Sequence, residues 1–202
     1  MAHIKIINAS PRAPRSNSKI YAKMFADYCT MQTEYLELNR KNTPELAQSA
    51  AVCKDLILVF PLYADSIPVS LLNFLKELSQ IPSDCKPTVS AIINCGFLES
   101  MQNNIAVEQI KLFCDENFFP SGSFLKIGSG EAIADTPFKV FVKYKMKRFA
   151  KSVEKGNYRE FSVSMPLTKK MFVIAANKYW LNRGKQNGLT KEQMDVDLIE
   201  DQ

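Results

Sequence analysis

The sequence predicts an α/β protein: a three-layer, doubly wound sheet of five parallel strands in the order 2-1-3-4-5, followed by an extra C-terminal helix. Three observations predict it. Short apolar runs, Asp55-Leu-Ile-Leu-Val-Phe60 and Thr88-Val-Ser-Ala-Ile-Ile93, read as strands covered on both faces. Such runs alternate with helix-period segments, which calls for right-handed crossovers and a parallel sheet. A hydroxyl-rich loop, Asn8-Ala-Ser-Pro-Arg-Ala-Pro-Arg-Ser-Asn-Ser18, lies between the first strand and the first helix, where such sheets receive ligands.

The elements follow in order. Ile4-Lys-Ile-Ile7 marks a strand near 3–8, and Lys19 to Ala26 reads as the start of an amphipathic helix near 17–30. Further strands are expected near 33–38, 55–60, 87–94 and 122–127, and helices near 44–52, 67–80 and 102–117. Thr136 before Pro137 starts a helix over 137–155, and Gly156 stops it. This makes residues 1–156 one domain and 157–202 an extension. In the extension, Met165-Pro-Leu-Thr opens a helix near 166–183, ended by Gly184. Phe172, Val173, Ala176, Tyr179 and Trp180 give it an apolar face. Packing on the parent domain, a dimer interface and a lid all remain open for that face. The polar tail after Gly188 is expected to fray.

Composition narrows the function classes. An apolar content of 46% suffices for a full core. No apolar run approaches the roughly 20 residues of a membrane span, and Ile4 to Ile7 is too short for a signal peptide, so a cytoplasmic protein is expected. Cys29, Cys53, Cys85, Cys95 and Cys114 are odd in number and widely spaced, which speaks against a disulfide framework and against zinc or iron–sulfur ligation. No metal is expected. The single histidine, His3, reads as an edge or surface residue. Residues 1–136 hold 12 basic and 14 acidic side chains, whereas 137–202 hold 14 and 7. The basic third suits an anionic cofactor, an acidic protein, a membrane surface or a solvated face; no motif supports nucleic acid binding.

Three loops carry the candidate chemistry. In the first, Ser10, Ser16 and Ser18 supply hydroxyls and Arg12 a charge, next to helix N-terminal amides that lack partners. The loop has neither a Walker lysine nor dinucleotide glycines, which suits a monophosphate. Ser16 or Asn17 also reads as a helix cap. The second loop is Pro61-Leu-Tyr-Ala-Asp-Ser-Ile-Pro68 and the third is Asn94-Cys-Gly-Phe97. A ligand with a phosphate at one end and a flat polar ring at the other fits them, with Tyr63 and Phe97 against the ring. Gly128-Ser-Gly-Glu131 reads as a turn on the same rim.

Over about residues 1–155 the chain resembles the flavodoxin-like NAD(P)H-dependent FMN reductases, a broad family that includes quinone reductases. The resemblance rests on Ala9-Ser10-Pro11-Arg12 with Asn17-Ser18, and on Pro61-Leu62-Tyr63 with Ser66 and Pro68. It implies that Ser10, Arg12, Ser16, Asn17 and Ser18 hold the FMN phosphate. It places Pro61, Leu62 and Tyr63 along the isoalloxazine ring, with Asn94, Cys95, Gly96 and Phe97 on the pyrimidine side. Ala9 stands where the family has glycine, and the spacer containing Pro14 is longer by about one residue. NADPH or NADH would be the donor, a quinone, flavin or other small molecule the acceptor, and a homodimer the assembly. No side-chain acid or base is needed for hydride transfer, so no catalytic residue is nominated.

Two other readings compete: a flavodoxin-type electron carrier and a non-catalytic flavin-binding regulator. The basic net charge of +5 and the absence of glycine from Pro61-Leu-Tyr-Ala64 favour the reductase. The basic C-terminal third suggests NADPH over NADH.

Overall fold

Six parallel strands form one sheet in a computed structural model, which describes residues 4–12, 15–82, 84 and 86–194. The strands are β1 (Ile4–Asn8), β2 (Thr33–Glu37), β3 (Asp55–Pro61), β4 (Thr88–Asn94), β5 (Ser121–Ile127) and β6 (Glu160–Val163), in the order β2-β1-β3-β4-β5-β6. The helices are α1 (Asn17–Tyr28), α2 (Thr43–Ala50), α3 (Val69–Leu78), α4 (Asn104–Glu116), α5 (Lys139–Glu154), α6 (Lys169–Gln186) and α7 (Lys191–Met194). His3, Pro14, Cys85 and the tail from residue 195 lie outside the described residues.

The doubly wound order of the first five strands is as expected, but the sheet has six strands, not five. Leu125 pairs with Phe161 and Ile127 with Val163, so β6 extends the parallel sheet beyond β5. Phe161 and Val163 are buried while Glu160 and Ser162 are exposed, the alternation of an edge strand. The chain divides into two compact units, Met1–Met165 and Pro166–Gln202, and β6 belongs to the first.

Each face of the sheet is covered by the helices that the periodicity requires. Leu46 and Ala47 of α2, Leu71 and Phe74 of α3, and Ile110 of α4 bury against Ile7, Leu58, Phe60 and Ile93. Burying a side chain such as Phe74 contributes about 1.5–3 kcal/mol. On the other face, Phe25 of α1 meets Phe149 of α5 edge to face, with ring centroids 5.6 Å apart. Ser18, Tyr21, Ala22 and Phe25 form the buried stripe of α1 at helical spacing. Pro61 pairs with Asn94, which brings the ends of β3 and β4 level at one rim.

The second unit is α6 followed by α7. Thr168 caps α6, its hydroxyl accepting from the Met171 amide at 3.3 Å. Gly184 does not end this helix: it lies inside α6, against the Met194 side chain, which a Cβ would have to displace. The turn after α6 falls instead at Gly188, with φ +77°. Nor are the apolar residues of α6 confined to one face. Met171, Val173, Ile174 and Trp180 are all exposed, and at 100° per residue they lie around the helix.

Asp55 opens β3 at the opposite end of the sheet from the rim. It is buried, its Oδ2 has no hydrogen-bond partner among the described residues, and Tyr158 donates to Oδ1 at 3.4 Å. Burial raises its carboxyl above the usual range, against the opposing charge of Lys54. A raised carboxyl keeps its proton in the folded state after the unfolded chain has released one, so stability falls as pH rises above about 3.9. Asp55→Asn removes that dependence. Its melting temperature relative to wild type is expected to rise as pH increases above about 4 and to level off once the folded-state carboxyl has ionised, checked by thermal unfolding of both proteins as a function of pH.

Candidate functional site

The first loop is organised by Asn8, the buried last residue of β1. Its Oδ1 accepts from the Ser10 amide at 3.1 Å, and its Nδ2 donates to Ser16 Oγ at 3.3 Å and to Tyr35 Oη at 2.9 Å. Ser10 Oγ in turn accepts from the Arg12 amide at 3.3 Å, and the Arg15 amide donates to the Arg12 carbonyl at 2.9 Å. Ser16 caps α1, accepting from the Lys19 amide at 3.3 Å. Tyr35 donates to Glu37 at 3.0 Å. Burial raises its phenol to about 12, Glu37 adding to the shift and Asn8 opposing it.

The three serines are therefore not equivalent. Ser18 is buried, and its hydroxyl donates to Asn94 Oδ1 at 3.2 Å. Ser10 and Ser16 brace the loop and the helix start. Asn17 sits at the mouth, its Nδ2 donating to the Glu131 carbonyl at 3.4 Å. The side chains of Arg12 and Arg15 are exposed and make no ion pair or hydrogen bond among the described residues. What the loop presents outward is the N-terminus of α1 and two guanidiniums, a donor set suited to phosphate.

The second loop is a tight turn. Tyr63 and Ser66 exchange backbone hydrogen bonds of 2.9 and 3.1 Å around Ala64 (φ 47°) and Asp65 (φ 55°). Two consecutive left-handed residues make this a type I′ turn, a conformation usually supplied by glycine or asparagine. Gln109 of α4 holds it in place, donating to Ser66 Oγ at 2.9 Å and accepting from the Ile67 amide at 3.2 Å. The Leu62 amide donates to the Asn94 carbonyl at 2.7 Å, tying this loop to the third. Pro61 and Leu62 are half-buried, and Tyr63 stands 64% exposed.

In the third loop Asn94 and Cys95 are buried, whereas Gly96 is exposed and Phe97 is 51% exposed. Cys95 is structural: its thiol lies near the Phe97 and Glu99 carbonyls, accepts from Asn103 Nδ2 at 3.4 Å, and is pushed up by burial. It is a protonated, enclosed thiol rather than a nucleophile. The Gly128-Ser-Gly-Glu131 turn packs directly on this loop. The Gly130 amide donates to the Cys95 carbonyl at 2.7 Å, and a Cβ at Gly130 would stand 2.7 Å from that of Asn94. Tyr21 of α1 closes the rim by donating to the Gly130 carbonyl at 2.7 Å.

A cavity of about 740 Å³ opens at this rim. Ser10, Arg12 and Tyr63 line it, with Arg15, Glu37 and Arg40. Asn94 to Phe97 do not; the cavity leans toward the end of β2. Asn8, Glu37 and Arg40 are absent from the sequence-predicted site. The polar end of an apolar strand is the signal that marks Asn8, and position after β2 is the signal for Arg40. Among the described residues no cluster of three or more His, Cys, Asp or Glu side chains converges on a metal position, and no helix is long and apolar enough to cross a membrane.

No protein-family model matches the chain, and no curated protein sequence matches it. Solved structures do. The Trp repressor binding protein of Bacillus subtilis is 15% identical, with a TM-score of 0.61 over 72% of this chain and 99% of that one. The chain has the flavodoxin-like fold. The NAD(P)H:quinone oxidoreductase of Methanothermobacter marburgensis is 12% identical, with a TM-score of 0.60 over 76% and 98%. A Streptococcus pneumoniae flavodoxin is also 12% identical, with a TM-score of 0.56 over 76% and 99%. In this flavodoxin-like chain the loops after β1, β3 and β4 share one rim, as the topology requires.

The Ser18–Asn94 bond gives the rim a measurable dependence. Ser18→Ala leaves a buried Asn94 oxygen without its donor and is expected to cost about 1–3 kcal/mol. Ser16→Ala loses a helix cap and one of two acceptors of Asn8 Nδ2, which keeps Tyr35 Oη, and is expected to cost about 1 kcal/mol. Urea unfolding of the two variants should show the larger loss at Ser18.

Proposed function

We propose that the protein is an FMN-dependent NAD(P)H oxidoreductase, carrying hydride from a reduced nicotinamide to a quinone, a flavin or another small acceptor. One observation carries the reading. The guanidiniums of Arg12 and Arg15, without a partner among the described residues, share a rim beside the α1 N-terminus with two exposed aromatic rings, Tyr63 and Phe97, on adjacent loops. A phosphate end and a flat-ring end are thus supplied together. The solved oxidoreductases of the same fold, and the resemblance of the loop sequences, support it.

The residues present fit FMN. Arg12 and Arg15 bind its phosphate with the α1 amides, and Asn8, Ser10 and Ser16 hold the loop that positions them. The Leu62–Asn94 backbone bond fixes the spacing of the two ring-side loops. Tyr63 and Phe97 would lie against the ring and exclude water from its faces, and the turn amides of Ala64 and Asp65, which have no hydrogen-bond partner among the described residues, would bond its polar edge. When bound, FMN supplies the hydride acceptance and release that no protein side chain offers. Cys95 and Tyr21, both protonated because burial raises them, contribute structure and no proton transfer. A homodimer in the cytoplasm is part of the same proposal.

The test is an anaerobic titration of FMN-loaded protein with NADPH, followed in the visible flavin band. Direct bleaching to the two-electron-reduced form is expected. A flavin that stays oxidised moves the assignment to a carrier or a regulator, and failure to bind FMN overturns the site. Arg12→Ala is expected to weaken FMN binding about tenfold to a hundredfold, the loss of one charge-assisted contact, measured by fluorescence titration.

A further inference from the structure

The cavity is larger than the flavin phosphate reading uses, and its charge is unbalanced. Arg40, just beyond β2, lines it together with Arg12 and Arg15. None of the three guanidiniums has an ion-pair or hydrogen-bond partner among the described residues. The one carboxylate on the wall, Glu37, is already engaged by Lys19 at 3.2 Å and by the Tyr35 hydroxyl. Three arginines on one cavity wall, whose single carboxylate is already paired, suit an anionic ligand.

The remaining wall narrows the ligand. Leu38 and Val69 give it an apolar surface, and Asn39 and Asn73 place amides on it. An amide matches the donor and acceptor edge of a purine, and an apolar surface matches its face. The volume is in the range of small-molecule sites. The arginines all come from the first 40 residues, so the basic C-terminal third is not what gives this cavity its charge.

We infer that this β2-side cavity binds the adenosine bisphosphate half of NADPH, with Arg40 holding the ribose phosphate that NADH lacks. The inference rests on the reductase reading for its ligand. Arg12 and Arg15 remain at the flavin phosphate, and Arg40 lies outside every residue assigned to FMN.

Calorimetric titration of the protein with adenosine 2′,5′-bisphosphate and with adenosine 5′-monophosphate tests it. The bisphosphate is expected to bind at least about tenfold tighter, the value of one charge-assisted contact. Arg40→Ala is expected to abolish that difference and Arg40→Lys to restore part of it, with FMN affinity unchanged in both. Equal binding of the two nucleotides overturns the inference, as does a preference that survives Arg40→Ala. A parallel loss of FMN affinity in Arg40→Ala also overturns it, because the cavity is then the flavin's own. If wild type fails to bind FMN yet prefers the bisphosphate, the flavin reading falls and the Arg40 phosphate site stands.

Discussion

Asn94, the buried last residue of β4, joins every loop of the rim. Its side chain accepts from Ser18 of α1, its carbonyl accepts from Leu62 after β3, and its Cβ closes against Gly130 after β5. A buried amide in this position carries a heavy cost unless its groups are paired. Pairing them draws together segments far apart in the chain. The candidate ligand groups therefore inherit their geometry from a polar knot under the surface rather than from the exposed loops. Asn8 does the same for the first loop, where one side chain organises Ser10, Ser16 and Tyr35. Two central strands ending in buried asparagines give the rim its rigidity, and a rigid rim is what positions a ligand at little entropic cost.

Much of this architecture was legible because it follows from period. Apolar runs of strand length alternate with helical segments, and parallel topology then forces the loops after β1, β3 and β4 to one end. The sixth strand was hidden for physical reasons. Glu160 to Val163 is four residues long, lies at the sheet edge and buries only Phe161 and Val163. It has the alternating pattern of a half-covered strand rather than the continuous apolar run of its neighbours. Gly184 misled for a related reason. A glycine ends a helix when it takes positive φ, but this one serves as a contact surface for Met194, a role that only tertiary packing reveals.

Within the site, residue type was legible and residue role was not. Three serines in one loop look alike as phosphate donors. Ser18, however, shares a helical stripe with Tyr21, Ala22 and Phe25, and that spacing already places it on the buried face. The second loop shows the reverse. Without glycine, Pro61 to Ala64 gave no sign of a left-handed turn, yet Ala64 and Asp65 adopt one. The paired bonds between Tyr63 and Ser66, and the grip of Gln109 on Ser66, supply the energy that an unfavourable φ at alanine costs.

The charge distribution shows why segment totals are a poor guide to local chemistry. Residues 1–136 carry a small excess of acid, yet the cavity they form is lined by three guanidiniums without a partner among the described residues and one neutralised carboxylate. Charges separated by more than about 8–10 Å are screened from each other at physiological salt. A bound anion therefore responds mainly to the few groups on its own wall. Arg12 and Arg15 are near in sequence, but Arg40 reaches them only because β2 runs parallel beside β1 and ends level with it, Asn8 pairing with Glu37. The potential of the cavity is in this sense a product of strand register, and sheet topology rather than composition decides which ligand it favours.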